Sequence, residues 1–236
     1  VMFSLFLVLI QFLQAVLGYS ALRAASALLP MAGVVLPLSA IAPTLADRFG
    51  VRRVLVAGML LLGTGLACVA VFADGEAGYF SVLPGIMVLA VGTGLSMSPS
   101  TAAITSSLPE EKQGVASALN DTVREMGGAA GIALVGSVLN AAYRTSLKPA
   151  AAALPPGLAD RANDGIGGAL ATAGELGPAG GTLLVAAQRA FVDGMRPALL
   201  LAALGAMGAA LFTAIRGPRP ETSSVALPAV GVPTTR

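Results

Sequence analysis

The sequence predicts an all-α membrane protein, a six-transmembrane-helix bundle, on three observations. Of its 236 residues, 56% are hydrophobic and 11% charged, with a mean hydropathy of +0.82, whereas a soluble domain carries about 25% charge. Apolar runs long enough to cross the ~30 Å hydrocarbon layer, at about 1.5 Å per residue, recur along most of the chain. The breaks between most of these runs are short, polar turns. A membrane β-barrel would instead show short segments of alternating polarity.

In order, the spans are 1–18, 22–46, 54–73, 81–107, 115–143 and 198–215. The first opens apolar at Val1 with no Lys or Arg before Leu17, which does not match the basic start of a signal peptide. The chain is therefore expected to be a fragment that begins inside a helix. Pro30, Pro37, Pro43, Pro84 and Pro99 can kink their helices by removing backbone hydrogen bonds. Small residues at Gly63-x-Gly65, Gly92-x-Gly94 and Gly205-x-x-Gly208 allow helix backbones to approach closely in lipid.

Residues 144–190 contain Pro155-Pro156, Gly167-Gly168 and Gly180-Gly181, which predicts a loosely ordered external loop. Short amphipathic helices within it are expected near 158–173 and 183–190. Residues 217–236, with Pro218, Pro220, Pro228 and Pro233, read as a disordered cytoplasmic tail. The domain organisation is then a transmembrane bundle over 1–216, with one external loop, followed by that tail.

Charge sets the expected orientation. The 47–53 turn carries Arg48, Arg52 and Arg53, and the 74–80 turn carries no Lys or Arg, so the positive-inside rule places 47–53 in the cytoplasm. Alternation then puts 109–114 and both ends of the chain on the same side. The net charge of +2 comes from scattered residues, which argues against a nucleic-acid surface. His is absent and Cys68 is the single cysteine, set within an apolar run, so no disulfide framework, zinc site or His relay can form within the chain. No nucleophile–base pair, phosphate-binding loop or metal cluster is legible, and neither an enzyme nor a bound cofactor is expected.

The 47–53 turn has a second use. A carboxylate beside several guanidinium groups at a helix junction can form charge-assisted hydrogen bonds or cap a helix, giving a clasp that opens and closes. Leu45, Ala46, Asp47, Arg48, Gly50 and Arg52 resemble the motif G-x-L-A-D-R-x-G-R-K/R, found between the second and third helices of each half in the major facilitator superfamily. Pro43 stands where that family usually has Gly, and Val51 where Arg is common. Two further stretches are similar to its fourteen-helix drug:proton antiporter branch. One contains Gln14, Gly18, Ser20, Leu22, Ala24, Leu29 and Pro30, with Ala21 and Ala25 as departures. The other contains Gly114, Ala116, Asn120, Arg124, Gly127, Gly128 and Gly131.

The resemblance implies the last six helices of fourteen, that is, the C-terminal half of the major facilitator fold. It further implies proton-driven export of amphipathic, often cationic drugs from a bacterial plasma membrane, with the proton gradient as energy source. Substrate in that family binds between two halves, so the implied partners are the lipid bilayer, a small-molecule substrate and the missing N-terminal half. A permease for a metabolite or nutrient, or a truncated non-transporting membrane module, are the alternatives.

Gln11 and Gln14 lie three apart in an otherwise apolar span and share a helical face. Two readings stand: an interhelical hydrogen bond, or the cavity lining that the resemblance implies. Asn120, Asp121, Arg124 and Glu125 concentrate polar groups near the start of the fifth span, with the three charges on adjacent parts of one face. They can act as a gate at the cytoplasmic mouth or, through Asp121 or Glu125, in proton coupling.

Overall fold

The computed structural model describes residues 2–105 and 109–217. Val1, the last residues of the fourth expected span and the expected tail beyond Gly217 lie outside them. Over the described residues the chain is helical nearly throughout. The helices are α1 Met2–Gln11, α2 Ala21–Ala27, α3 Leu29–Phe49, α4 Val51–Phe72, α5 Tyr79–Thr105, α6 Gln113–Ala151, α7 Pro156–Asn163, α8 Ile166–Glu175 and α9 Gly181–Arg216. A π-helical segment, Phe12–Val16, continues α1, and short 3-10 turns occupy Glu110–Lys112 and Gly177–Gly180.

Among the described residues, five helical stretches are long and apolar enough to cross a membrane: Ala21–Phe49, Val51–Phe72, Tyr79–Thr105, Gln113–Ala151 and Gly177–Arg216. Met2–Val16 is a shorter apolar helix. The expected second span divides at Leu28 because Pro30 occupies the first turn of α3, where its missing N–H costs no helical bond. Pro37 and Pro43 in α3, and Pro84 and Pro99 in α5, lie inside unbroken helices.

The pair α4–α5 forms the spine of the bundle. About half of α5's apolar window (50%) and 44% of α4's are buried inside the bundle, against 11% for Ala21–Phe49 and 17% for α6. This depth comes from missing side chains. A Cβ on Gly65 would stand 2.6 Å from the backbone N of Leu89, and one on Gly92 2.5 Å from the N of Leu62 and 2.6 Å from the O of Gly58. The two backbones therefore touch, which is how helices associate where lipid removes the hydrophobic drive. A Cβ on Gly205 or Gly208 would meet nothing within 4 Å among the described residues.

α6 and α9, with 39 and 36 residues, run about 58 and 54 Å at ~1.5 Å per residue, well beyond a ~30 Å hydrocarbon layer. Their excess length lies at the end of the bundle opposite the 47–53 turn, where α7 and α8 fold back between them. Segment 144–190, expected to be loosely ordered, is thus helical over most of its length. Its Pro and Gly residues punctuate the helices instead of dissolving them. Pro156 opens α7, Gly165 (φ +146°) turns the chain from α7 into α8, and Gly180 precedes α9. Buried Tyr143, Leu147, Ala162, Ile166, Ala169 and Phe191 give this small bundle a core.

Polar ties close it. The Tyr143 hydroxyl donates to the Ala162 carbonyl at 3.1 Å, and Arg144 Nε to the Asn163 carbonyl at 3.0 Å. Arg161 grips Glu175 through both guanidinium nitrogens at 2.9 and 2.6 Å, and these hydrogen bonds hold the Glu175 carboxyl below its usual range. Because that pKa falls on folding, the stabilisation is present at neutral pH and lost as pH drops through it.

Gly92→Ala is expected to lower the stability of the purified protein by about 1–3 kcal/mol, the scale of overpacking, whereas Gly205→Ala should leave it unchanged; thermal unfolding in detergent compares the two. In the α7–α8 hairpin, Glu175→Gln should release Arg161 and speed tryptic cleavage after it, read from the time course of the fragments.

Candidate functional site

The 47–53 turn is built around one glycine. α3 ends at Phe49 and α4 starts at Val51, so Gly50 alone reverses the chain, at φ +90° and ψ 132°. Its N–H donates to the Ala46 carbonyl at 2.8 Å, and its own carbonyl accepts from Arg53 N and Val54 N at 3.1 and 3.3 Å. One residue thus terminates one helix and starts the next, in a region of backbone space that disfavours any residue with a Cβ.

Around this hinge the charges are spread apart. Asp47 and Arg48 are exposed and Arg52 is half-buried. The Arg48 guanidinium lies over the Phe49 ring, 5.4 Å from its centroid, and Asp47 forms no ion pair among the described residues. α4 has no side-chain cap at its N-terminus, so Asp47 does not serve there either. Asp47, Arg48, Gly50 and Arg52 instead rim a recess of about 780 Å³ that Ala214, near the end of α9, also lines.

The amides of the first helix do not stay together. Gln11 is half-buried and Gln14 exposed. The change from α to π geometry at Phe12 widens the turn between them, marked by Leu17 N donating to Phe12 O at 3.1 Å. Residues three apart are rotated further from one another there than in a uniform α-helix.

The polar cluster at the start of α6 divides. Asn120 is buried, and its Nδ2 donates weakly to Asp121 Oδ1 at 3.4 Å. Asp121, Arg124 and Glu125 are exposed, and no ion pair joins them among the described residues. Asn120 and Arg124 line a cavity of about 440 Å³ between α1, α4, α5 and α6; Asp121 and Glu125 do not. Phe3 closes one side by laying its ring on Gly128, where a Cβ would come within 2.7 Å of it. Opposite, Thr93, Ser96, Ser100 and Thr101 present hydroxyl-bearing residues along α5. The Thr93 and Thr101 hydroxyls donate to carbonyls four residues back, at 2.9 and 3.1 Å, which leaves their oxygens as acceptors. The cavity is thus amphipathic, with methionine and aliphatic walls, hydroxyl oxygens, one buried amide and one guanidinium.

The α5 hydroxyls went unnoticed in the sequence, although Thr93, Ser96 and Ser100 recur at helical spacing and signal one polar stripe. Gln188 carried no such signal. It lies in the segment expected to be a loop, yet its Nε2 donates to the carbonyls of Ala15 and Val16, at 3.1 and 3.3 Å, where the first helix ends.

Comparison with known proteins agrees with this architecture. Residues 1–132 match the Major Facilitator Superfamily. The chain is 32% identical over 206 residues to the multidrug efflux pump LfrA of Mycolicibacterium smegmatis, an alignment covering 87% of this chain and 40% of that protein. It is 34% identical over 214 residues to the tetracenomycin C resistance and export protein of Streptomyces glaucescens, covering 86% and 39%. With the multidrug resistance protein Stp of Mycobacterium tuberculosis, identity is 31% over 147 residues, 62% of this chain and 27% of the other. The chain thus spans about 40% of the length of the first of these relatives.

Gly50→Ala should cost about 1–2 kcal/mol through left-handed backbone strain, measured as a lowered unfolding midpoint that a change at Arg53 does not reproduce.

Proposed function

Since the chain belongs to the major facilitator superfamily, we propose that it forms the C-terminal half of a bacterial proton-driven exporter of amphipathic drugs, working by alternating access. The observation that carries this reading is the cavity between α1, α5 and α6. It has an apolar wall, a polar stripe and an open side, and α6, which lines it, is buried over only 17% of its apolar window. On α6, Val115, Leu119, Val123 and Met126 are exposed beside Asp121, Arg124 and Glu125. Lipid is a poor neighbour for those three charges. A second six-helix half covering that face would complete the cavity and bury both kinds of group.

In this reading Asn120 and Arg124 contact substrate from the C-terminal side, and Gln11 and Gln14 line the path between the halves. Asp47, Arg48, Gly50 and Arg52 form a cytoplasmic gate. The open carboxylate of Asp47 pairs with a cation of the other half when the gate shuts. Asp121 and Glu125 stand at the same mouth as gate partners, and the principal proton-carrying acid belongs to the other half. Both ends of this chain then face the cytoplasm, and the α7–α8 hairpin faces outward. The names of the relatives, two multidrug proteins and one tetracenomycin C resistance and export protein, support the substrate class.

The full-length gene product in proteoliposomes should expel ethidium only when a pH gradient is imposed. Asp47→Asn should slow that export about tenfold, the scale of one lost charge-assisted hydrogen bond. Absence of gradient-driven movement for ethidium and for a panel of resistance substrates would rule the reading out.

A further inference from the structure

A helix leaves its last carbonyls without backbone donors, and inside a membrane protein they must find others. At the end of the first helix, the Phe12 carbonyl accepts from Leu17 N at 3.1 Å and the Leu13 carbonyl from Tyr19 N at 2.9 Å. The Ala15 and Val16 carbonyls accept from one side chain, the Gln188 amide of α9, at 3.1 and 3.3 Å. These bonds tie together residues more than 170 positions apart. Immediately beyond, Gly18 takes φ +67° and the chain breaks before α2, so this helix end has a swivel on its far side.

Gln188 also borders empty space. A cavity of about 320 Å³ lies beside it, lined by Val16, Asp74, Glu76, Arg189 and Asp193 among others. Three carboxylates and a guanidinium make this a wet recess, into which the amide can turn and exchange its two carbonyls for water. Among the charged residues of this recess, Arg189 stands 3.9 Å from Glu76 with both side chains well exposed, and Asp193 accepts from the Ser146 hydroxyl at 2.8 Å.

We propose that Gln188 is a positioning residue, a latch that holds the end of the first helix against α9, and that its release opens this end of the bundle during transport. The latch rests on the transporter reading for its purpose and on geometry alone for its existence. A donor is required there: the position must supply N–H to two carbonyls, so a carboxylate of the same length is the wrong partner. In an exporter that loads substrate from the opposite end, an unlatched helix depletes the loading-competent state. Apparent affinity then falls in proportion to that fraction, while the saturating rate is spared.

Hydrogen–deuterium exchange on the full-length protein in nanodiscs, without substrate, reads the latch directly. Gln188→Leu and Gln188→Glu should each speed exchange at the Leu17 and Tyr19 amides at least about fivefold, whereas Gln188→Arg, which keeps donors, should stay near the wild-type rate. Unchanged exchange across the α4–α5 pair shows that each variant is folded. In proteoliposomes the same two latch-breaking variants should raise KM at least about threefold with the saturating rate within about twofold, whereas simple destabilisation lowers the rate and spares KM. Exchange at the wild-type rate in both Gln188→Leu and Gln188→Glu would overturn the latch. Faster exchange with KM unchanged would overturn its link to transport. A wild-type protein that exports nothing would defeat the transporter reading, leaving the positioning role decided by exchange alone.

Discussion

The meeting of helix backbones at Gly65 and Gly92 is the contact on which the remaining arrangement depends. Lipid supplies no hydrophobic force to press helices together, so attraction must come from close backbone approach. Where α4 and α5 lack side chains, that approach is available. With this pair fixed, α9 packs on α4 and α3 on α5, while α6 joins the bundle mainly through α9. The first half of α6 is therefore left with little to bury against. Its Ala116, Asn120 and Gly128 are buried on a narrow stripe, and most of its other residues up to Leu134 are exposed. The cavity beside Asn120 and Arg124 follows from how tightly two other helices fit.

Backbone constraint also shapes both ends of the bundle, with opposite solutions. At the 47–53 turn one residue does all the work: Gly50 takes a positive φ, accepts from two amides and donates to a third group, so two long helices join without a loop. At the far end the first helix loosens into π geometry and ends without an internal solution for its last carbonyls, and α9 supplies the donor. The bonds of the first junction lie within neighbouring residues, and those of the second cross between elements.

Most of the charged groups at the 47–53 turn and on α6 are exposed. Asp47 lies beside three arginines yet closes no ion pair among the described residues, because Gly50 sends α4 off at an angle that spreads them around a recess. Asp121, Arg124 and Glu125 have helical spacing but remain apart, since exposed pairs of this kind gain little from holding two long side chains still. Arg161 and Glu175, by contrast, do meet, bidentate and well aligned, in the small helical hairpin at the other end.

Much of this could be read from residue types. Apolar runs located the helices because the cost of placing each side chain in hydrocarbon is a local property. The 47–53 turn was legible from its charges, whereas the positive φ of Gly50 belongs to the structure. Segment 144–190 was harder, since its alanines and small residues carry weak hydropathy and its Pro and Gly mark helix starts as readily as loops; its order appears only when Tyr143, Ala162 and Phe191 pack together. The pairing of Gln11 with Gln14 assumed a uniform helix, and the π segment at Phe12–Val16 departs from that. The bonds from Gln188 to Ala15 and Val16 were out of reach of the sequence altogether. A backbone carbonyl has no residue identity, and which donor reaches it depends on distances between elements far apart in the chain. The sequence determined which segments prefer a bilayer and where a charged turn joins two of them; the tertiary structure decided which helices touch, how they place their polar groups, and what closes the ends.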